Sequence, residues 1–347
     1  MLPSMRAVTF QRPGEVRVEE KPPPEIGAAG EAIVRVEASG ICGSDLHIYH
    51  GRVGIEPGFT LGHEYVGTVE ATGEGVESLA AGDRVLGAFS TACGACYLCA
   101  RGAFHKCEHA RVFGFGSTLG SLQGAQAELL LVPNADLTLR RVPEGIGDEV
   151  ALFAGDVLGT GYHAIAETGV GEGSSVAIVG LGPVGLCAAQ AAAAAGASVV
   201  IAVDRVDDRL RVAGELGATP VHLDDEPGVA VKRATDGRGV DVAVDAVGQP
   251  AALDLACRLA RDAGTVSATG VYAEPIELHM GIVWMKALTL RTGLANVIAH
   301  LDPVLAALAA GELDPSPLVT HAISLDDAPE AYEIYDRREA LKIVLRP

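Results

Sequence analysis

Residues 175–195 read SVAIVGLGPVGLCAAQAAAAA, an apolar strand that passes through three spaced glycines straight into a helix. Strand, G-x-G-x-x-G and helix in immediate succession leave few folds open, because together they build the first turn of a doubly wound parallel sheet. Gly180 permits the tight turn, Gly182 lets backbone approach a pyrophosphate, and Gly185 lets the helix pack closely on the strand. Pro183 stands in the first helical turn, where its missing N–H leaves no bond unmade. The helix N-terminus then offers N–H donors and a positive partial charge to phosphate. The next apolar run, Val199–Val203, ends in Asp204, nineteen residues after Gly185. A carboxylate there accepts both ribose hydroxyls and repels a 2′-phosphate, which favours NAD over NADP; the adjoining Arg205 softens that choice.

The pattern repeats downstream. Strand-like runs Val240–Val244, Gly264–Thr269 and Leu288–Arg291 alternate with helical stretches Pro183–Ala195, Asp207–Leu216 and Ala251–Arg261, as βαβ units on a parallel sheet require. Before about residue 150 the texture differs. Short runs such as Arg6–Phe10, Ala32–Ala38, Gly67–Ala71 and Ala127–Val132 are broken by Gly and Pro, and predict a β-rich barrel or sandwich. The tail predicts helices over Leu301–Ala310 and Ala328–Tyr335 and a strand over Lys342–Leu345. With 347 residues, 49% of them hydrophobic, the chain has material for roughly two domains with a substantial core.

Charge narrows the partners. Asp plus Glu number 45 against 26 Lys plus Arg, a formal net charge of −19, so the surface repels nucleic acid and anionic membrane. Leu186–Val203 is eighteen residues without a charge. It is Ala-rich and split by Gly196 and Ser198, so it reads as a buried helix followed by a buried strand, not a membrane span. MLPSMRAVTF lacks the apolar core of a secretory signal, and the chain is expected in the cytoplasm, where paired thiols mean metal more often than disulfide.

Four of the seven cysteines fall in CGACYLCARGAFHKC, at Cys93, Cys96, Cys99 and Cys107. Two C-x-x-C steps and a fourth Cys one short loop later can place four thiolates around a tetrahedral ion. Zinc suits soft thiolates in a compact loop, although an iron–sulfur cluster uses similar ligands and two disulfides or four buried thiols are the plain alternatives. Cys187 and Cys257 fall in helical stretches and read as buried thiols.

GICGSDLH at residues 40–47, GHE at 62–64, the cysteine quartet, GLGPVG and the closing LKIVLRP occur in one order along the chain. In that combination the sequence resembles, over essentially its whole length, the zinc-dependent alcohol dehydrogenases of the medium-chain dehydrogenase/reductase family. The resemblance implies an α/β protein with two domains. A GroES-like β-rich catalytic domain would take residues 1–157 and 297–347, with a zinc lobe near 90–110. A Rossmann NAD-binding domain, a doubly wound parallel sheet, would take 158–296.

It also implies two zinc ions per chain, a structural one at the quartet and a catalytic one held by Cys42, His63 and Asp156. Asp156, in FAGDVLGTGY, stands where many members carry Cys. Thiolate, neutral imidazole and carboxylate neutralise Zn²⁺ and leave one position open, as catalytic zinc requires. Glu64 is either an exchangeable fourth ligand or only a neighbour of the ligands, and Asp45 matches the carboxylate that fixes the ligand imidazole. The activity implied is hydride transfer between a primary or secondary alcohol and NAD, with zinc lowering the alcohol's pKa. Ser44 would pass the proton on through the cofactor ribose to His47, with His50 as another exit, and Thr160 would pack on the nicotinamide. Cofactor contacts implied are Gly180, Gly182, Pro183, Val184, Gly185, Asp204, Arg209, Val271 and Lys342; Arg209 and Lys342 would replace a basic residue absent at Gly43. Pocket walls are sought among Tyr49, Phe89, Phe113, Trp284 and Leu294. Polyol or L-threonine dehydrogenase and aldehyde dismutase are alternatives within the family, and a non-catalytic zinc-binding or redox-sensing protein is one outside it. A homodimer or homotetramer is expected.

Overall fold

The computed structural model describes residues 4–272 and 274–347, which divide into two compact units. One comprises the chain up to Asp156 together with Asn296–Gly311 and Pro315–Pro347; the other comprises Val157–Ala295 with Glu312–Asp314.

The second unit is a six-stranded parallel sheet. Its order from one edge is Thr219–His222, Val199–Asp204, Ser175–Val179, Val240–Asp245, Ala260–Ala268 and Thr289–Thr292. Strand order reverses between Ser175–Val179 and Val240–Asp245, so the carboxyl ends of those two strands open the crevice in which such sheets bind ligands. Strands covered on both faces need continuous apolar runs, and all of Ser175–Val179 after its first residue is buried. The uncharged stretch after Gly185 is the helix Pro183–Ala194 and the strand Val199–Asp204. Among the described residues no helix is long and apolar enough to cross a membrane.

Two local expectations shift. The helix read to Arg261 ends at Leu259, and Arg261 belongs to the strand Ala260–Ala268. Its guanidinium is held by Asp241 at 2.7 Å, and the sheet register shifts between Val240 and Val242. The strand Thr219–His222 and the helix Pro227–Ala234 had no distinct pattern. The strand is four residues of TPVH at the sheet edge, where proline is tolerated.

The first unit is built on a seven-stranded sheet. Ala32–Ile41 lies at its centre, paired antiparallel with Glu64–Thr72, Leu129–Val132 and Lys342–Arg346. Val319–Ser324 runs parallel to Lys342–Arg346 at one edge, while Arg84–Gly87 and Leu139–Arg141 extend the sheet beyond Glu64–Thr72. A hairpin of Met5–Arg12 and Glu15–Lys21 packs nearby; its charged second strand, EVRVEEK, was unexpected. One core cluster joins Val8, Ile41, Ile48, Leu61, Tyr332 and Ile343. Beginning, middle and end of the chain thus meet around the strand that leads to Cys42.

Candidate catalytic metal site and nucleotide loop

Three turns of the first unit deliver the candidate ligands. Cys42 caps the helix Gly43–Tyr49 at the end of the central strand. His63 enters the neighbouring strand Glu64–Thr72. Asp156 follows the 3₁₀ turn Leu152–Gly155. Ligand atoms of Cys42, His63, Glu64 and Asp156 all lie within 4.8 Å of one another. His63 Nε2 is 3.3 Å from Asp156 Oδ2 and 3.3 Å from Ser44 Oγ, and His63 Nδ1 is 3.4 Å from Asp45 Oδ1.

Burial and like charge make the cluster costly without a cation. Burial, and then Asp156, pushes the Cys42 thiol up to about 11. Burial opposes charge on His63, but Asp45 and Asp156 outweigh it and raise that pKa above the ordinary histidine range. A divalent ion among one thiolate, one imidazole nitrogen and one carboxylate oxygen relieves both strains, and the sulfur, nitrogen and oxygen donors suit zinc.

Glu64 has a partner of its own. Lys342, fully buried, places Nζ 2.6 and 2.7 Å from the two Glu64 carboxylate oxygens and 3.2 Å from the Ile41 carbonyl. Burial raises Glu64 and opposes Lys342, yet the contact keeps the ammonium above its ordinary range. Lys342, expected as a contact for the cofactor, is thus occupied by Glu64. Gly40 makes room for the pair, since a Cβ there would meet Glu64 Oε2 at 2.3 Å.

The His63 ring lies beside Phe89, edge-on at 6.4 Å, and Phe115 at 5.6 Å. Of the expected pocket walls only Phe89 takes this place. Phe113 packs on Tyr65 at 5.4 Å and Tyr49 on Tyr332 at 5.5 Å, both in the core. Trp284 and Leu294 belong to the other unit and are exposed. His47 is half-buried with Nδ1 unpartnered, and burial followed by Arg52 lowers its pKa. His50 is bound by Asp336 at 2.8 Å.

The quartet forms a second cluster. Its four sulfurs lie within 4.8 Å of one another, with Cys93–Cys99 at 4.0 Å and Cys96–Cys107 at 3.9 Å. A tetrahedron with zinc–sulfur bonds of about 2.3 Å has edges of roughly 3.8 Å, whereas a disulfide needs about 2.05 Å. Backbone N–H groups of Cys99 and Glu108 hold Cys96 down to about 6, while burial and neighbouring sulfurs push Cys99 up to about 12. Asn296 anchors the lobe by donating to the Gly102 carbonyl at 2.7 Å.

In the other unit, Gly180 adopts φ +92° and turns the chain. A Cβ on Gly185 would meet the Gly180 carbonyl at 1.9 Å, while nothing lies within 4 Å of a Cβ on Gly182. Glycine is therefore obligatory at the first position and the third, and the second is bare backbone. Pro183 and Val184 begin the helix, with Gly182 as its cap. Asp204 reaches this loop, accepting the Leu181 N–H at 2.6 Å, with Arg209 at 3.8 Å. Val271 is exposed, and Thr160 lies in the helix Val157–Ala166. Sequence reasoning missed Asp245, across the same crevice. Its buried carboxylate accepts the Tyr272 hydroxyl and the N–H groups of Val247 and Gly248. A signal existed: VVIAVD and VDVAVD both end a parallel strand in Val-Asp.

Comparison with known proteins agrees with both halves. Residues 28–144 match the alcohol dehydrogenase GroES-like domain and residues 183–309 the zinc-binding dehydrogenase domain. A probable zinc-binding alcohol dehydrogenase of Mycobacterium tuberculosis is 39% identical over 346 residues, covering 99% of this chain and 89% of its own. The solved alcohol dehydrogenase of Thermus sp. ATN1 is 45% identical, with 99% of each chain covered and a TM-score of 0.96. A zinc-binding dehydrogenase of Sinorhizobium meliloti, solved with NADP, is 30% identical over 99% of this chain and 100% of its own, with a TM-score of 0.87. The β-rich unit with its ligand cluster, the parallel sheet with its glycine loop and these likenesses establish one conclusion: the chain belongs to the zinc-binding alcohol dehydrogenases of the medium-chain dehydrogenase/reductase family.

Proposed function

We propose that the chain oxidises a primary or secondary alcohol with NAD, or reduces the carbonyl, using one catalytic zinc at Cys42, His63 and Asp156 and one structural zinc at Cys93, Cys96, Cys99 and Cys107. The observation that carries this reading is the convergence of one sulfur, one imidazole nitrogen and one carboxylate oxygen within 4.8 Å. Zinc there supplies a Lewis acid that polarises the substrate oxygen. Glu64, neutralised by Lys342, adds no net charge to the ligand set. Phe89 and Phe115 keep water from His63 and favour simple alcohols over polyols. Ser44 Oγ takes the alcohol proton as it gives up its own through the cofactor ribose to His47, whose pKa burial lowers. Gly180, Gly182, Pro183, Val184 and Gly185 present backbone to the pyrophosphate; Asp204 takes the ribose hydroxyls; Arg209, Val271 and Thr160 complete the cofactor contacts.

A cysteine quartet spaced for a metal and not for disulfides supports placement in a reducing cytoplasm. The edge strand Thr289–Thr292 is exposed throughout, beside Trp284 at 77% and Met285 at 72% exposure, and supports pairing with a second copy in a homodimer or homotetramer.

The test is a panel of primary and secondary alcohols, polyols, threonine and aldehydes with NAD and NADP, read by cofactor absorbance. Turnover of simple alcohols with NAD is expected. Asp204→Ala should cost about 1.5–3 kcal/mol of NAD preference, roughly tenfold or more. Turnover confined to polyols, or an NADP preference in the unaltered enzyme, overturns the substrate or cofactor reading.

A further inference from the structure

We propose that Gln126 and Tyr332 are positioning residues for the metal site. Through Asp45 they hold the His63 ring so that Nε2 faces Cys42 and Asp156. The inference rests on the reading of those three residues as zinc ligands.

Asp45 is fully buried and, among the described residues, has no Lys or Arg partner. Its Oδ2 accepts the Cys42 N–H at 2.9 Å and the Gln126 amide Nε2 at 3.4 Å. Its Oδ1 lies 3.4 Å from His63 Nδ1, an ion-pair contact short of hydrogen-bond geometry, and among the described residues neither atom has another partner. With Oδ2 occupied by two donors, Oδ1 is the acceptor left for an Nδ1–H, which leaves the Nε2 lone pair for a metal.

Gln126 admits one orientation. Its Nε2 also donates to the Gly40 carbonyl at 3.1 Å, and its Oε1 accepts the Tyr332 hydroxyl at 2.9 Å. A flipped amide would set oxygen against a carbonyl and a carboxylate. Both side chains are fully buried, where a bond once made is not exchanged with water. Gly62, immediately before His63, has φ +90°, and a Cβ there would meet Gln126 Cγ at 2.4 Å. The Gln126 N–H donates to the Leu61 carbonyl at 2.9 Å. The amide is thereby fixed to the turn that carries the ligand as well as to the carboxylate that orients it. Tyr332 sits in the helix Ala328–Asp336 and brings the end of the chain into this path.

Outer partners of metal ligands typically alter metal affinity about 10–100-fold. The experiment uses the zinc-loaded protein, Gln126→Met and Tyr332→Phe. Zinc release to a coloured chelator is followed for both ions, and the visible absorption of protein carrying Co²⁺ at the catalytic site is recorded. Gln126→Met should release the catalytic zinc roughly tenfold or more faster. Tyr332→Phe should do so by a smaller factor. Both should shift the Co²⁺ bands and leave release from the cysteine quartet unchanged. Release within twofold of the unaltered protein with unmoved Co²⁺ bands overturns the proposal, as does equal acceleration at both ions, which is what a merely structural role produces. If Gln126→Met does not fold, Tyr332→Phe, which removes one hydroxyl, decides. Unaltered protein that binds zinc at the quartet alone overturns the ligand reading instead.

Discussion

The cysteine quartet and the Cys42 cluster satisfy one geometric condition, donor atoms within 4.8 Å, by opposite routes. The quartet spans fifteen residues, and its own backbone supplies the setting. The N–H groups of Cys96, His109 and Cys93 point at sulfur at 3.2–3.3 Å. The other cluster draws its ligands from positions 42 to 156; strands bring in Glu64 and Lys342, and a 3₁₀ turn brings in Asp156. On the proposed reading, an all-thiolate loop closes its ion off, and a buried mixed set with Ser44 at its edge leaves a position for chemistry. On that reading, contiguity along the chain goes with structure, and assembly across the sheet goes with function.

The largest effect on stability is expected at the assembled site. Lys342→Met leaves the buried Glu64 carboxylate without its counter-ion, and unfolding in urea should show a loss of about 3–5 kcal/mol. Adding Glu64→Gln should recover most of it. A single variant within about 1 kcal/mol of the parent would mean that the pair is not a strut of the site.

At the contiguous site the loss should be smaller and separable from catalysis. Cys99→Ser should release the quartet zinc and lower stability by about 2–3 kcal/mol, roughly 3–5 °C in Tm. Turnover per folded molecule should stay close to that of the parent. A selective loss of hydride transfer in well-folded protein would erase the division between the two clusters.

The smallest effect serves as a control in the other unit. Asp241 holds Ser175 at the start of the glycine-loop strand by accepting its N–H at 2.8 Å and its hydroxyl at 2.7 Å. Burial raises its carboxyl, but Arg261 and Ser175 prevail and bring it down to about 2. A carboxyl whose folded pKa is depressed contributes stability above the unfolded value of about 3.9, and that stability disappears as pH falls through the folded one. Asp241→Asn should therefore destabilise slightly at pH 7, and its stability should converge on the parent's as pH falls from about 4 towards 2. Both zinc ions should be retained. Loss of either would show that the two units do not separate energetically.

Much of this was legible because its signals are local. The glycine loop, Asp204 nineteen residues on and the cysteine spacing are contained in short stretches, and the family motifs pointed to Cys42, His63 and Asp156. The pairs that support the ligands were not legible. Lys342 meets Glu64 across 278 positions and Tyr332 meets Gln126 across 206. Such contacts depend on which strands pair and in what register, not on any nearby pattern. Lys342 accordingly read as a basic contact for the cofactor or a solvated charge, and Gln126 did not register at all. Phe113 and Phe115 differ by two positions and not by type; only packing sends one into the core and the other beside His63.

The most direct test of the division between the clusters is a joint count of zinc and turnover in purified unaltered protein, Cys42→Ser and Cys99→Ser. The account predicts two zinc ions in the first and one in each variant, with turnover falling by at least ~10³-fold, about 4 kcal/mol, in Cys42→Ser alone while NADH still binds. Turnover retained in Cys42→Ser, or abolished in folded Cys99→Ser, would contradict it.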